Sequence, residues 1–238
     1  MRLDLYLSQN ALAQSRQKAQ ELIKSGNVLV NEKVCTKSSY EVQENDSIQV
    51  IKESSQWVSR AGDKLEGFLP SLSLELRDKR VLDIGSSTGG FSEVLLSFGV
   101  GEIVCVDVGD NQLHPKLRNH PKITFFENTD IREFESEGFE LIVCDVSFIS
   151  LRLIVSKIYE LARGDVILLF KPQFEVGRSA KRNKKGVIMD TQEVQKALQD
   201  FLELLANMGF VVCKWEKSIL KGKSGNEEFF IHIQKQHH

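Results

Sequence analysis

The stretch LDIGSSTGGFSEVLL, residues 82–96, decides how the rest of the chain is read. An apolar run stops at Gly85, passes three small polar residues, meets Gly89 and Gly90, and then takes up amphipathic helical spacing. That is a strand, a tight turn and a helix, with the glycines leaving backbone bare where a ligand can lie against it. The spacing is not the G-x-G-x-x-G of a dinucleotide turn.

Outward from this turn, strand-like and helical segments alternate from about residue 58 onward. The strand-like runs are RVLDIG, EIVCVDV, ITFFEN, FELIVCDV, DVILLFKP, FVVCKWE and EEFFIHI, with helical stretches such as SEVLLSFG and TQEVQKALQDFLELLANMG between most of them. Alternation of this kind predicts an α/β fold with a mostly parallel sheet covered on both faces. The last two runs are joined only by a basic loop, which predicts an antiparallel final hairpin. In such a sheet the carboxyl ends of the parallel strands share one edge, where ligands collect. Asp83, Asp107 and Asp130 fall at or just after the first three strand ends, Asp145 ends the fourth and Lys171 the fifth. An antiparallel last strand opens at the same edge with Glu227 and Glu228. Lys64 lies in VSRAGDKLEGF, a predicted helix entering just before the first strand.

Composition bounds the function classes. At 238 residues, 41% hydrophobic and 27% charged, the chain is an ordinary globular protein with length for one to two domains. No apolar run approaches the ~20 residues of a membrane span, and the N-terminus is too polar for a signal peptide, so a cytoplasmic protein is expected. Cys35, Cys105, Cys144 and Cys213 form no Cys-x-x-Cys pair and the histidines are scattered, His237 and His238 at the very end. No disulfide framework and no metal are expected. The net charge of −2 does not announce a polyanionic partner. Two basic runs do carry local charge: Lys171, Arg178, Lys181, Arg182, Lys184 and Lys185 against Glu175, and Lys214, Lys217, Lys221 and Lys223 against Glu216.

Residues 1–52 read differently. RLDLYLSQN is a short helix, and Ser15 caps a second, SRQKAQELIKSG, whose Ala19, Leu22 and Ile23 share one face before Gly26 ends it. NVLVNEKV and DSIQVIK alternate as short strands with a turn at Asn31-Glu32. Residues 53–58 read as a linker and 59–238 as the second domain. The first module resembles the S4 RNA-binding domain through Arg2-Leu3-Asp4, Ser15-Arg16, Ala19, Leu22-Ile23, Gly26-Asn27-Val28, Val30-Asn31 and Asn45-Asp46-Ser47-Ile48. Arg2, Arg16, Lys18 and Lys24 fall on the helical side that the apolar stripe leaves free, where cations can meet phosphates; modules of this type grip folded RNA by shape.

The glycine turn is similar to the first loop of class I S-adenosylmethionine (SAM) methyltransferases. The resemblance implies a SAM site at Asp83, Gly85, Ser86, Gly89, Gly90 and Phe91. Gly89 and Gly90 would leave room for the methionine part and Asp83 would face its ammonium group. Asp107 would take the ribose hydroxyls and Asp130 the adenine amino group. The second domain further resembles the FtsJ-type RNA 2′-O-methyltransferases, and the whole chain the TlyA or hemolysin A family of ribosomal-RNA 2′-O-methyltransferases. The matching strings are SRAGDKL, LDIGSSTGGF, CDVSFIS, LFKPQFE, KGV and SGNEEFF. By that motif Lys64, Asp145, Lys171 and Glu228 inherit a catalytic Lys-Asp-Lys-Glu set, with Lys171 handling the hydroxyl proton. Ribosomal RNA is the implied partner, cytidine ribose the implied target, and Arg178, Lys181, Arg182, Lys184 and Lys185 would border the cleft; a monomer is expected. Three other readings rank lower. An amino-group methyltransferase would carry Asn/Asp-Pro-Pro-aromatic where this chain has Asp145-Val146-Ser147-Phe148. The others are a non-catalytic RNA-binding assembly protein and a membrane-active hemolysin, for which no cationic amphipathic helix is present.

Overall fold

A computed structural model describes residues 1–238 other than Gln14, Ser25, Glu44, 51–54, Arg178, Ser179 and 237–238. Arg178 and part of the expected linker therefore lie outside the described residues. The chain divides into two compact units, residues 1–55 and 56–238.

In the first unit, α1 (Leu3–Gln9) and α2 (Arg16–Lys24) pack beside a sheet of β1 (Val28–Val30), β2 (Lys33–Val34) and β3 (Ile48–Val50), ordered β2-β1-β3 and antiparallel throughout. Leu3, Leu7, Ala19, Ile23, Val28 and Val30 form its core. Local sequence sets the corners. Ser15 Oγ accepts from Lys18 N at 3.1 Å at the start of α2, Gly26 leaves it at φ +81°, and Asn31 and Glu32 adopt φ of +50° and +65°. Consecutive left-handed residues are what a two-residue hairpin needs to match strand twist.

The second unit opens with α3 (Arg60–Phe68). It then runs β4 (Arg80–Ile84), α4 (Gly90–Ser97), β5 (Glu102–Val106), α5 (Pro115–Arg118), β6 (Ile123–Phe126) and β7 (Phe139–Cys144). It continues with α6 (Val155–Leu161), β8 (Ala162–Phe170), α7 (Pro172–Glu175), α8 (Thr191–Asn207), β9 (Phe210–Lys217) and β10 (Phe229–Lys235). Among the described residues these strands form one seven-stranded sheet, β6-β5-β4-β7-β8-β10-β9. β4 to β8 are parallel, and β10 runs antiparallel between β8 and β9. Successive strand residues serve opposite cores. Leu82, Ile84, Val104 and Val106 join α6 and α8 on one face. Val81, Ile103 and Cys105 join α3 and α4 on the other. Burial on both faces is why these strands read as unbroken apolar runs.

Register places the expected site residues at one edge. Cys144 pairs with Leu168 and Phe170 with Phe229, so Asp145, Lys171 and Glu228 all sit one residue beyond those ends.

Candidate active site

The four residues of the expected catalytic set form two close ion pairs. Lys171 Nζ lies 2.6 Å from Asp145 Oδ1 and donates to Ser147 Oγ at 2.9 Å. Lys64 Nζ donates to Glu228 Oε2 at 2.6 Å. Lys64, Lys171 and Glu228 are buried. Cations and carboxylates withdrawn from water this far are costly unless paired. The pairing is nonetheless incomplete: Asp145 Oδ1 has no hydrogen-bond partner among the described residues, because Lys171 approaches it without hydrogen-bond alignment.

Lys64 reaches Glu228 for a simple geometric reason. Phe68 lies one helical turn after Lys64 on the same face of α3, and Phe230 lies two residues after Glu228 on the same face of β10. The rings of Phe68 and Phe230 stack with centroids 4.6 Å apart, which holds the helix at the depth where the charges meet. Behind Asp145, the loop after β7 is pinned by half-buried Glu175 of α7, which accepts from Ser150 Oγ at 2.6 Å and Leu151 N at 2.7 Å. Burial pushes the Glu175 carboxyl up, with the two donors pulling the other way.

On the same loop Phe148 is 93% exposed and sits at φ +67°, its ring centroid 5.5 Å from that of Phe174. A bulky residue in the left-handed region is uncommon and strained. Here the strain presents a flat apolar face to solvent three residues beyond Asp145. Sequence reading gives Phe148, Ser147 and Glu175 no role at the site; a lone aromatic in the string DVSFIS just after a strand end was the available signal for the first.

The glycine turn behaves differently from its expectation. Gly85 has φ +76°, and a Cβ there would lie 2.9 Å from the Asp145 carbonyl oxygen, so it joins the β4 and β7 ends closely. A Cβ on Gly89 would meet Leu117 Cδ1 at 2.3 Å, and one on Gly90 would meet Ser59 Oγ at 2.2 Å. The space a Cβ would take at those two glycines is thus occupied by the protein itself. Phe91 is likewise a core residue, 2% exposed and packed against Phe230, with no surface for a cofactor. Ser86 is buried within the turn, and Ser87 takes φ +47°.

The acids are partly engaged. Asp83 is wholly buried. Its Oδ2 accepts from Ser92 Oγ at 2.6 Å while Oδ1 has no partner among the described residues, and burial pushes its carboxyl up to about 7. Asp107 accepts from Ser87 N and Gly109 N, both at 2.7 Å; a carboxylate has about four acceptor sites, so capacity remains. Asp130 accepts from Arg132 N at 2.9 Å, and its ion pair with the Arg132 side chain holds it below the usual carboxylate range. These three acids sit at or just beyond the ends of β4, β5 and β6.

In the first unit two of the residues expected to meet phosphate also have an internal partner. Arg2 and Arg16 donate to the wholly buried Asp4 at 3.0 and 3.1 Å, and Gln20 joins them at 2.7 Å. The Arg2 hydrogen bond, aided by Gln20 and Arg16, keeps the Asp4 carboxyl far below its ordinary range. Both arginines compensate an internal charge before anything else, though their side chains stay 40% and 51% exposed. Lys18 and Lys24 are exposed on α2. In the second unit Lys181, Arg182, Lys184 and Lys185 are exposed on a short hairpin closed by an Arg182–Ile188 bridge.

Comparison with known proteins fits this layout. Residues 57–235 match the FtsJ-like methyltransferase family and residues 1–48 the S4 domain. The 23S rRNA (cytidine-2′-O)-methyltransferase TlyA of Campylobacter jejuni is 45% identical over 99% of this chain and 100% of its own length. The chain belongs to the TlyA/hemolysin A family of FtsJ-like methyltransferases. A second member, the 16S/23S rRNA (cytidine-2′-O)-methyltransferase TlyA of Mycobacterium tuberculosis, is 36% identical over 99% of this chain and 90% of its own. A solved Streptococcus thermophilus structure described as a hemolysin superposes with a TM-score of 0.77 at 31% identity, covering 99% of this chain and 88% of that one. Among the described residues no helix is long and apolar enough to cross a membrane. No cluster of three or more His, Cys, Asp or Glu able to hold a metal ion occurs among them either.

Proposed function

We infer that this protein transfers a methyl group from SAM to a ribose 2′-hydroxyl of ribosomal RNA, with cytidine the favoured nucleotide. The observation that carries the reading is the pair of buried Lys–carboxylate contacts, Lys171–Asp145 and Lys64–Glu228, brought to one sheet edge by α3, β7, β8 and β10. Buried charge of this kind is a poor stabiliser compared with apolar packing and a familiar mark of a functional site.

SAM fits the adjoining edge. Asp83 Oδ1, without a partner among the described residues, offers a buried acceptor near the β4 turn, and Asp107, which accepts two backbone bonds, retains lone pairs for a diol. Bound there, the cofactor would supply a methyl group on a sulfonium. The protein's own part is positioning and proton control. To act on the ribose hydroxyl, Lys171 first gives a proton up to solvent; as the neutral amine its Nζ then orients the hydroxyl and takes up its proton as the methyl is transferred, steadied by Asp145 and Ser147. Lys64 and Glu228 hold the second charge pair beside it. Phe148 offers a stacking face for a base drawn out of its helix, and Lys181, Lys184 and Lys185 supply counter-charge for the flanking phosphates. The S4 unit adds a second grip on folded RNA.

The test is transfer of labelled methyl from SAM to ribosomal RNA, with the product mapped to ribose or base. Wild type is expected to label ribose. Lys171→Ala is expected to lose about 10²- to 10⁴-fold in rate at saturating SAM and RNA while keeping its SAM affinity. A base-methylated product, or full activity in Lys171→Ala, overturns the assignment.

A further inference from the structure

The turn that delivers Glu228 is tied to the basic hairpin by one buried side chain. Asn226 is 4% exposed. Its Oδ1 accepts from Ile188 N at 3.0 Å and its Nδ2 donates to Gly186 O at 3.3 Å. Its backbone carbonyl accepts from Gly222 N at 2.9 Å, and a Cβ on Gly222 would stand 2.3 Å from Glu228 Oε1. The catalytic carboxylate therefore rests against a turn that Asn226 closes from within, and the other end of Asn226 grips the hairpin. The hairpin is itself built rather than loose. Asn183 Oδ1 accepts from Lys185 N and Val187 N at 2.8 and 3.0 Å, and Gly186 turns the chain at φ +79°. Lys181, Lys184 and Lys185 project from it into solvent.

A buried amide that satisfies a donor and an acceptor on one loop while its own backbone closes another is an expensive connection to leave half-made. It gives the two loops one mechanical fate. We propose that Asn226 is a positioning residue that fastens the basic hairpin to the turn carrying Glu228, so that holding the RNA backbone and aligning the Lys64–Glu228 pair are one event. The inference rests on the reading of RNA as substrate and adds to it a route by which phosphate contact reaches the catalytic group.

The experiment uses the full chain with ribosomal RNA and compares single-turnover methyl transfer at saturating RNA with RNA affinity. The Lys184→Ala/Lys185→Ala variant is expected to lower the saturated rate as well as the affinity. Asn226→Ala is expected to lower the saturated rate about 10- to 100-fold, as slight misplacement of reacting groups does, with SAM affinity unchanged. Adding the two lysine substitutions to Asn226→Ala then lowers the saturated rate no further, the non-additivity of residues acting as one unit. Asn183→Ala, which slackens the hairpin without touching Asn226 or Glu228, is expected to lower the saturated rate in the same direction. Active wild type with an equally fast Asn226→Ala, or rate losses that simply multiply, overturns this inference alone. A wild-type chain that methylates no RNA overturns it together with the proposed function.

Discussion

At the amino end of β8, Asp165 lies 2.9 Å from His232 Nε2 and accepts from Gln234 Nε2 at 2.9 Å and Lys79 Nζ at 3.1 Å. At the carboxyl end of the same strand, Lys171 touches Asp145 while Asp145 Oδ1, and Asp83 Oδ1 on nearby β4, find no hydrogen-bond partner among the described residues. Both ends bury charge, but only one satisfies it. Burial by itself would push the Asp165 carboxyl up, yet the bonds from His232, Gln234 and Lys79 bring it down to about 2. At Asp83 burial outweighs the side-chain and backbone hydrogen bonds from Ser92 and the carboxyl rises to about 7. A saturated polar cluster serves the fold, and an unsaturated one calls for an explanation, which the proposed cofactor and substrate site would supply.

The sharpest way to test that division is to break the saturated end. Asp165→Ala leaves buried His232 and half-buried Lys79 facing a lost carboxylate and is expected to cost about 3–5 kcal/mol of stability by denaturant midpoint, with the turnover of the remaining folded protein intact. Equal loss of turnover and stability would erase the distinction between the two ends. Next comes the unsaturated end. The unfolded chain loses the Asp83 proton near pH ~4, whereas the folded chain keeps it to about 7. Stability contributed by the neutral form is thus full below pH ~4 and is lost as pH rises through 7. Asp83→Asn, neutral throughout, is expected to match wild type at pH 4 and exceed it by about 2–4 kcal/mol at pH 8, measured by urea unfolding at both values. A pH-independent difference would show that Asp83 is not held neutral. The smallest effect is at Phe148. Phe148→Gly relieves the left-handed backbone and is expected to raise stability by about 1 kcal/mol while weakening RNA binding by about 1–3 kcal/mol through lost stacking. Unchanged RNA affinity would remove Phe148 from the substrate face.

Much of this was legible before any coordinates. Strands buried on both faces announce themselves as apolar runs, and Asp145, Lys171 and Glu228 follow from where those runs end. The fold is stated by local pattern, and the sheet edge by topology. What sequence reading leaves out are the distant partners of some residues. Gly89 and Gly90 look like openings until Leu117 and Ser59 are seen filling them. Arg2 and Arg16 look like free charge until Asp4 is seen buried beneath them. Phe91 adjoins the turn in sequence and faces the core in space. Asn226 is one letter in a motif, and its task becomes visible only when Gly186 and Ile188 fold back onto it.

One consequence of the strand order concerns how the protein is made. Glu228 trails Lys64 by 164 residues, and β10 takes its place between two strands already translated. A ribosome-bound nascent chain exposes its S4 unit, then Lys64, Asp145 and Lys171, long before the counter-charge for Lys64 has been synthesised. Insertion of the final strand is a late, non-local step of the slow kind. Until it occurs, the Lys64 side chain waits without its carboxylate.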